Sequence, residues 1–134
     1  LDVLKAVIPV LYIKFNFTEL VYVSSLSVFI GHVFPVWINF KGGKGISTYI
    51  GILFCLNYIL GFIFVILWLL IFLISKFSSL SSLISSLVIP VYQFIFFNDD
   101  NYFFYLIMFI LIFYTHRENI KRLKNNTESK TKIY

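Results

Sequence analysis

The sequence predicts an all-α protein, a polytopic bundle of transmembrane helices, and two observations carry that expectation. Of its 134 residues 60% are hydrophobic and only 13% are charged, about half the charged share of a soluble domain. Four stretches, 20–40, 45–75, 77–98 and 101–115, hold no Asp, Glu, Lys or Arg, and a helix needs ~20 apolar residues to cross a bilayer. A soluble globular domain is excluded. A chain of this length has room for roughly five or six spans and no separate soluble domain.

The elements follow from the charges between those stretches. Six of the eleven Lys and Arg residues (Arg117, Lys121, Arg122, Lys124, Lys130, Lys132) lie in the last nineteen positions, so the segment 116–134 is expected in the cytoplasm. Counted backwards, 101–115 leads out to Asp99 and Asp100, and 77–98 returns to a cytoplasmic Lys76. The run 45–75 would rise ~46 Å as one helix against a ~30 Å hydrocarbon core. Two short helices turning near Asn57 and Gly61 keep Lys41, Lys44 and Lys76 on the same side. Residues 20–38 then come inward to Lys41, and 1–13 ends outside near Lys14 to Glu19, giving about six helices. Asp2 and Lys5, three apart, share a helix face and can pair, although charge inside a membrane is also a functional hint. Serines 78, 79, 81, 82, 85 and 86 would let helices pack closely. Cys55 reads as a small buried hydrophobe. Leu1 to Val10 reads as helix interior without the basic flank of a signal peptide, so a fragment lacking its N-terminal part is expected.

Two segments carry chemistry. In Gly31 to Thr48, glycines 42, 43 and 45 alternate with Lys41 and Lys44. Glycine costs ~1 kcal/mol per helical position and lysine must reach water, so the chain breaks here. Flexible backbone N–H groups and the start of a helix at Ile46 would hold an anion, most naturally a phosphate. A nucleotide P-loop requires Ser or Thr after the lysine, where Gly45 stands, and a glycine where Ile38 stands. A basic loop with flexible glycines satisfies the positive-inside rule equally. In the second segment, His116, Asn119 and Leu123 share one helix face and Arg117, Lys121 and Lys124 another. The first face would suit proton transfer or phosphate orientation; a juxtamembrane helix on anionic headgroups is the alternative.

Together these segments resemble the bacterial acyl-phosphate:glycerol-3-phosphate acyltransferases, the PlsY family. Gly31, His32, Pro35, Phe40, Lys41, Gly42, Gly43, Lys44, Gly45 and Thr48 stand in register with the family's central motif, with Ile46 and Ser47 as mild departures. His116, Arg117, Asn119, Ile120, Arg122, Leu123 and Glu128 match its C-terminal motif, with Asn126 in place of a glycine, a turn Asn tolerates. Asp2 to Lys5 is similar to a stretch of the family's second helix, and Ser78-Ser79-Leu80 to a further serine-containing loop. The family's earlier Ser-Gly-Asn motif is absent from 1–134.

The resemblance implies a seven-helix fold, here a single membrane-embedded domain lacking the first helix and motif and, by itself, inactive. It implies transfer of an acyl group from acyl phosphate to the 1-hydroxyl of glycerol 3-phosphate, giving lysophosphatidic acid and phosphate. Phosphate binding falls to Lys41, Gly42, Gly43, Lys44, Gly45 and Ser79. Catalysis falls to His116 and Asn119, with structural support from His32, Pro35, Arg117, Arg122 and Glu128. The expected partners are glycerol 3-phosphate, acyl phosphate and membrane lipids, with a functional link to the enzyme that forms the acyl phosphate. No metal, cofactor or nucleic acid is expected. The expected location is the bacterial inner membrane, with the active site and C-terminus cytoplasmic. A transporter of a phosphorylated solute and a non-enzymatic membrane scaffold are the competing classes.

Overall fold

The computed structural model describes residues 2–40, 42–97 and 101–131, so Lys41, Asp99, Asp100 and Lys132 lie outside the described residues. Among the described residues every regular element is a helix: α1 (Asp2–Asn16), α2 (Val21–Val33), α3 (Ile46–Leu56), α4 (Tyr58–Ser75), α5 (Ser78–Phe96), α6 (Asn101–Thr115) and α7 (Arg117–Lys124). Short 3-10 turns cover Thr18–Leu20 and Val36–Ile38. Six apolar helices therefore precede one short basic helix. Thr18–Ile38, Tyr58–Ser75 and Ser78–Phe96 are long and apolar enough to cross a membrane, while α3 and α6 are shorter apolar helices.

The run 45–75 is divided, as its length requires. Asn57 ends α3 with an extended backbone (φ −150°, ψ 107°), and its Oδ1 accepts the Ile59 N–H at 3.0 Å, covering one of the orphan donors that open α4. Gly61, the other expected turning point, lies inside α4 instead. A Cβ there would stand 2.8 Å from the Phe54 ring, so the glycine serves close packing rather than a turn.

Polarity is inverted relative to a soluble protein. Ser25, Ser81, Ser82, Ser85, Ser86 and Gln93 are buried, whereas Phe15 is 79% and Ile74 85% exposed. Large apolar side chains facing outward are what lipid requires, and small polar ones inside let helices approach. Several serines close their own hydrogen bonds locally: Ser25, Ser81 and Ser82 each donate to the carbonyl four residues back, at 2.7, 2.8 and 2.9 Å.

The chain forms two compact units, Leu1–Phe62 and Ile63–Tyr134. In the first, α1 packs against both α2 and α3. Gly51 lets α3 approach closely, since a Cβ there would lie 3.1 Å from the Val3 carbonyl. Lys14 Nζ donates to the Cys55 carbonyl at 2.6 Å, which places a cation on the negative end of α3. Hence α1 and α3 run in the same direction, and Asp2, Lys5 and the start of α3 share the opposite end.

In the second unit α5 packs against α6 and α7. Trp68 Nε1 donates to Ser82 Oγ at 3.0 Å, fastening α4 to α5 through one of the buried serines. Lys76 turns the chain between those helices with a left-handed backbone (φ 61°).

Candidate functional site

In the first unit the chain leaves α2 at Val33 and turns through Pro35. Asn39 (φ 51°) and Phe40 (φ 60°) adopt left-handed backbones before the glycines. Gly45, at φ 84°, opens α3 at Ile46, as the sequence predicts. A Cβ on Gly45 would stand 2.5 Å from the Phe29 ring, so both conformation and space demand glycine. At Gly42 a Cβ would press on the His32 carbonyl, lie 2.5 Å from the Val33 carbonyl and 2.6 Å from Pro35 Cδ. At Gly43 it would meet the His32 ring, 2.6 Å from Nε2. His32 and Pro35 thus form the backing of the glycine loop, which gives a physical content to their expected supporting place.

A cavity of about 430 Å³ opens beside this loop, lined among others by Asp2, Lys5, His32, Gly42, Gly43 and Thr48. That volume suits a small organic ligand. Asp2 and Lys5 pair at 3.5 Å, as their spacing predicts, and both remain exposed at the cavity wall. The wall thus combines glycine backbone, the Thr48 residue of α3 and a Lys5 ammonium whose charge Asp2 balances. Lys44 is exposed, and neither it nor Gly45 is among the residues that line the cavity. Lys41, the second expected cation, lies outside the described residues.

In the second unit α6 ends at Thr115 and α7 begins at Arg117, with His116 as the cap between them. His116 is only 2% exposed, and its Nδ1 lies 2.8 Å from the Ile112 carbonyl oxygen. A carbonyl only accepts, so Nδ1 carries a proton. Asn119 is buried on the same face, while Arg117, Lys121 and Lys124 are exposed, in agreement with the two-faced reading. Arg117 stacks over the Tyr114 ring at 4.6 Å.

Glu128 gathers this end of the unit. Its Oε1 accepts from Ser79 Oγ and from Asn119 Nδ2, each at 2.7 Å, and its Oε2 accepts from Arg122 Nε at 2.7 Å. Burial works against the charged carboxylate, but the hydrogen bonds from Ser79, Asn119 and Arg122 and the Arg122 charge outweigh it, holding the carboxyl down at about 2. Ser79 has one O–H, and Glu128 receives it, so in this arrangement no hydroxyl proton remains for a phosphate oxygen. Asn119 keeps its second N–H and its carbonyl. The expectation that Glu128 and Arg122 hold the C-terminal segment therefore extends to Ser79.

The segment is further shaped by a Schellman turn after α7. The Thr127 N–H bonds the Arg122 carbonyl at 2.8 Å, the Asn126 N–H bonds that of Leu123 at 3.2 Å, and Asn126 itself is left-handed (φ 56°). Asparagine thus makes the turn in place of the glycine. Asn126→Ala is expected to cost about 1 kcal/mol in thermal unfolding, with Asn126→Gly neutral or stabilising; equal losses in both would mean the backbone angle is irrelevant. Beyond the turn the Thr131 N–H bonds the Lys76 carbonyl at 3.0 Å, a contact with no signal in the sequence. Among the described residues no three His, Cys, Asp or Glu side chains cluster as metal ligands.

Apolar helices with buried serines, and a glycine-lined cavity at the mouth of one of them, define a multi-pass membrane protein. The glycerol-3-phosphate acyltransferase family model matches residues 1–126, and the chain belongs to that family. It is 61% identical to the glycerol-3-phosphate acyltransferase of Pelagibacter ubique (strain HTCC1062), over all of this chain and 70% of that protein. It is also similar to the crystal structure of PlsY (YgiH), an integral membrane glycerol 3-phosphate acyltransferase, in its glycerol 3-phosphate form. There the TM-score is 0.89 and the identity 32%, over 98% of this chain and 68% of that one. The lysophosphatidic acid form of the same enzyme matches with a TM-score of 0.89, over 98% and 69%.

Proposed function

We propose that this protein acylates the 1-hydroxyl of glycerol 3-phosphate with acyl phosphate as donor, giving lysophosphatidic acid and inorganic phosphate. The observation that carries the reading is the glycine loop, tightly backed by His32, Val33 and Pro35, with a cavity for a small organic ligand beside it. An acyl phosphate is a mixed anhydride and brings its own leaving group. The hydroxyl oxygen adds to the acyl carbon, the carbon–oxygen bond to phosphate breaks, and the hydroxyl proton leaves to a base. No covalent enzyme intermediate is needed, so positioning and charge neutralisation can supply the catalysis.

Gly42, Gly43, Gly45 and Lys44 hold the substrate phosphate in this reading, with Lys41 as a second cation. His116 orients the substrate or takes the hydroxyl proton, with a phosphate oxygen of the substrate as the alternative base. Asn119 orients substrate with the N–H that Glu128 does not use, and Ser79, Arg122 and Glu128 keep α7 in place. The acyl chain needs only an apolar surface open to lipid. The basic C-terminal segment supports a cytoplasmic face for the chemistry and a bacterial inner membrane as its location.

The test is direct: the protein as its gene encodes it, in detergent, with labelled glycerol 3-phosphate and acyl phosphate. Formation of labelled lysophosphatidic acid is expected, and product only with a thioester donor would overturn the donor assignment. Lys44→Ala is expected to reduce kcat/KM by more than tenfold through loss of a charge-assisted contact; unchanged kinetics would remove Lys44 from the site.

A further inference from the structure

We infer that Lys5 is a substrate-binding residue, the cation that meets the phosphate of the ligand held in the glycine-loop cavity. Lys5 lines that cavity together with Asp2, His32, Gly42 and Gly43. Among the described residues it is the one ammonium or guanidinium in the wall, since Lys44 is not part of it. Its side chain is 71% exposed, so a molecule entering the cavity can reach Nζ. Charge on an otherwise apolar helix is expensive to keep and calls for a use, and the reaction as proposed above leaves Asp2 and Lys5 without one.

Helix packing brings Lys5 to the loop. Val3, Ala6 and Val7 of α1 rest against Gly51 of α3, and Asp2 and Lys5, three residues apart, share the adjoining flank of α1. Lys14 caps the far end of α3, so the end of α1 that carries the pair lies with the start of α3. The pair itself is loose. Lys5 Nζ stands 3.5 Å from Asp2 Oδ1, beyond the roughly 2.7–2.9 Å of a charge-assisted hydrogen bond, and both side chains face water, where such a pair gains little. Asp2 sits in the first turn of α1, where the helix dipole favours a carboxylate without help from a lysine. Nζ can therefore leave it for a better acceptor. A phosphate monoester brings about −1.5 to −2 charge and three strong acceptor oxygens, against the single charge of Asp2, and the Gly42 and Gly43 backbone borders the same space. Asp2 competes with the phosphate for Lys5, so the two side chains act on phosphate binding with opposite signs.

The inference rests on the function proposed above, and one experiment separates the two. The protein as its gene encodes it, in wild-type, Lys5→Met, Lys5→Arg and Asp2→Asn forms, is assayed with acyl phosphate over a range of glycerol 3-phosphate. Binding of inorganic phosphate to the same four proteins is measured by calorimetry. Lys5→Met keeps the length of the side chain and removes its charge. It is expected to raise the KM for glycerol 3-phosphate roughly tenfold or more, with kcat nearly kept and the unfolding temperature unchanged. Lys5→Arg is expected to stay close to wild type, and Asp2→Asn to lower that KM. An active wild type with a normal KM in Lys5→Met overturns the Lys5 assignment alone. Equal rises in Lys5→Met and Asp2→Asn, or a Lys5→Met protein that fails to fold, make the pair a structural tie and overturn it as well. A wild type without acyltransfer sinks the proposed function itself; weaker binding of inorganic phosphate by Lys5→Met would then still uphold Lys5 as the anion's cation, and unchanged binding would overturn it.

Discussion

Glu128→Ala is expected to lower stability by about 1–3 kcal/mol, because it leaves the buried Asn119 amide and Ser79 hydroxyl without their acceptor and takes the partner from the half-exposed Arg122 guanidinium. The Glu128 side chain is only 8% exposed, so water replaces the lost acceptor poorly. Thermal unfolding in detergent reads the loss. Glu128→Gln is expected to fall between wild type and Ala, since an amide oxygen can still accept from one neighbour while its NH₂ opposes Arg122. A Glu128→Ala protein as stable as wild type would show that these bonds form equally well to solvent.

The same carboxylate sets a pH dependence. Its pKa is held at about 2 in the folded protein against 4.5 for a free group. A carboxyl depressed in this way contributes stability that is fully present above pH 4.5 and is lost as pH falls from there toward 2. The wild type is expected to lose unfolding temperature over that window more steeply than Glu128→Gln. Parallel curves would deny Glu128 the ionised, hydrogen-bonded state seen here.

Gly42→Ala is the second large effect, with an expected rise of roughly ten- to a hundredfold in the KM for glycerol 3-phosphate. Its methyl group would meet two backbone carbonyls at the end of α2 and the Pro35 ring, none of which can rotate away. The loop must shift instead. Gly43→Ala should raise the same KM by less, because its obstacle is the edge of the His32 imidazole, a side chain that can turn. Gly31→Ala should be tolerated, since a Cβ there meets nothing within 4 Å. An order in which Gly43→Ala exceeds Gly42→Ala would place the constraint in the ligand cradle itself rather than in its backing.

Much of the fold is legible without coordinates because membrane insertion depends on sums along the chain. The absence of charge over 45–75 requires a break, and Asn57 provides it; Gly61 is misleading because a glycine can also mark close contact, here with Phe54. The helix start at Ile46 follows from Gly45, and the C-terminal turn survives on Asn126, both local backbone matters. The candidate site is legible as a set of residue types, less so as a set of partners. Ser79 looks like a phosphate ligand beside a basic loop, yet its single proton goes to Glu128, 49 residues away. Lys14 looks like a stray loop charge, and proves to cap α3 from 41 residues away.

The amino-acid order by itself determined an all-helical membrane protein, the places where its helices stop, and the glycine-rich loop that opens α3. Those features depend on hydropathy, local charge and the φ angles single residues can adopt, all of which are properties of short windows. Only the tertiary structure decided which donors meet which acceptors: Glu128 with Ser79 and Asn119, Arg122 with Glu128, and His116 Nδ1 with the Ile112 carbonyl. Hydrogen bonds act over about 3 Å and between groups distant in the chain, so they exist only once the helices are packed.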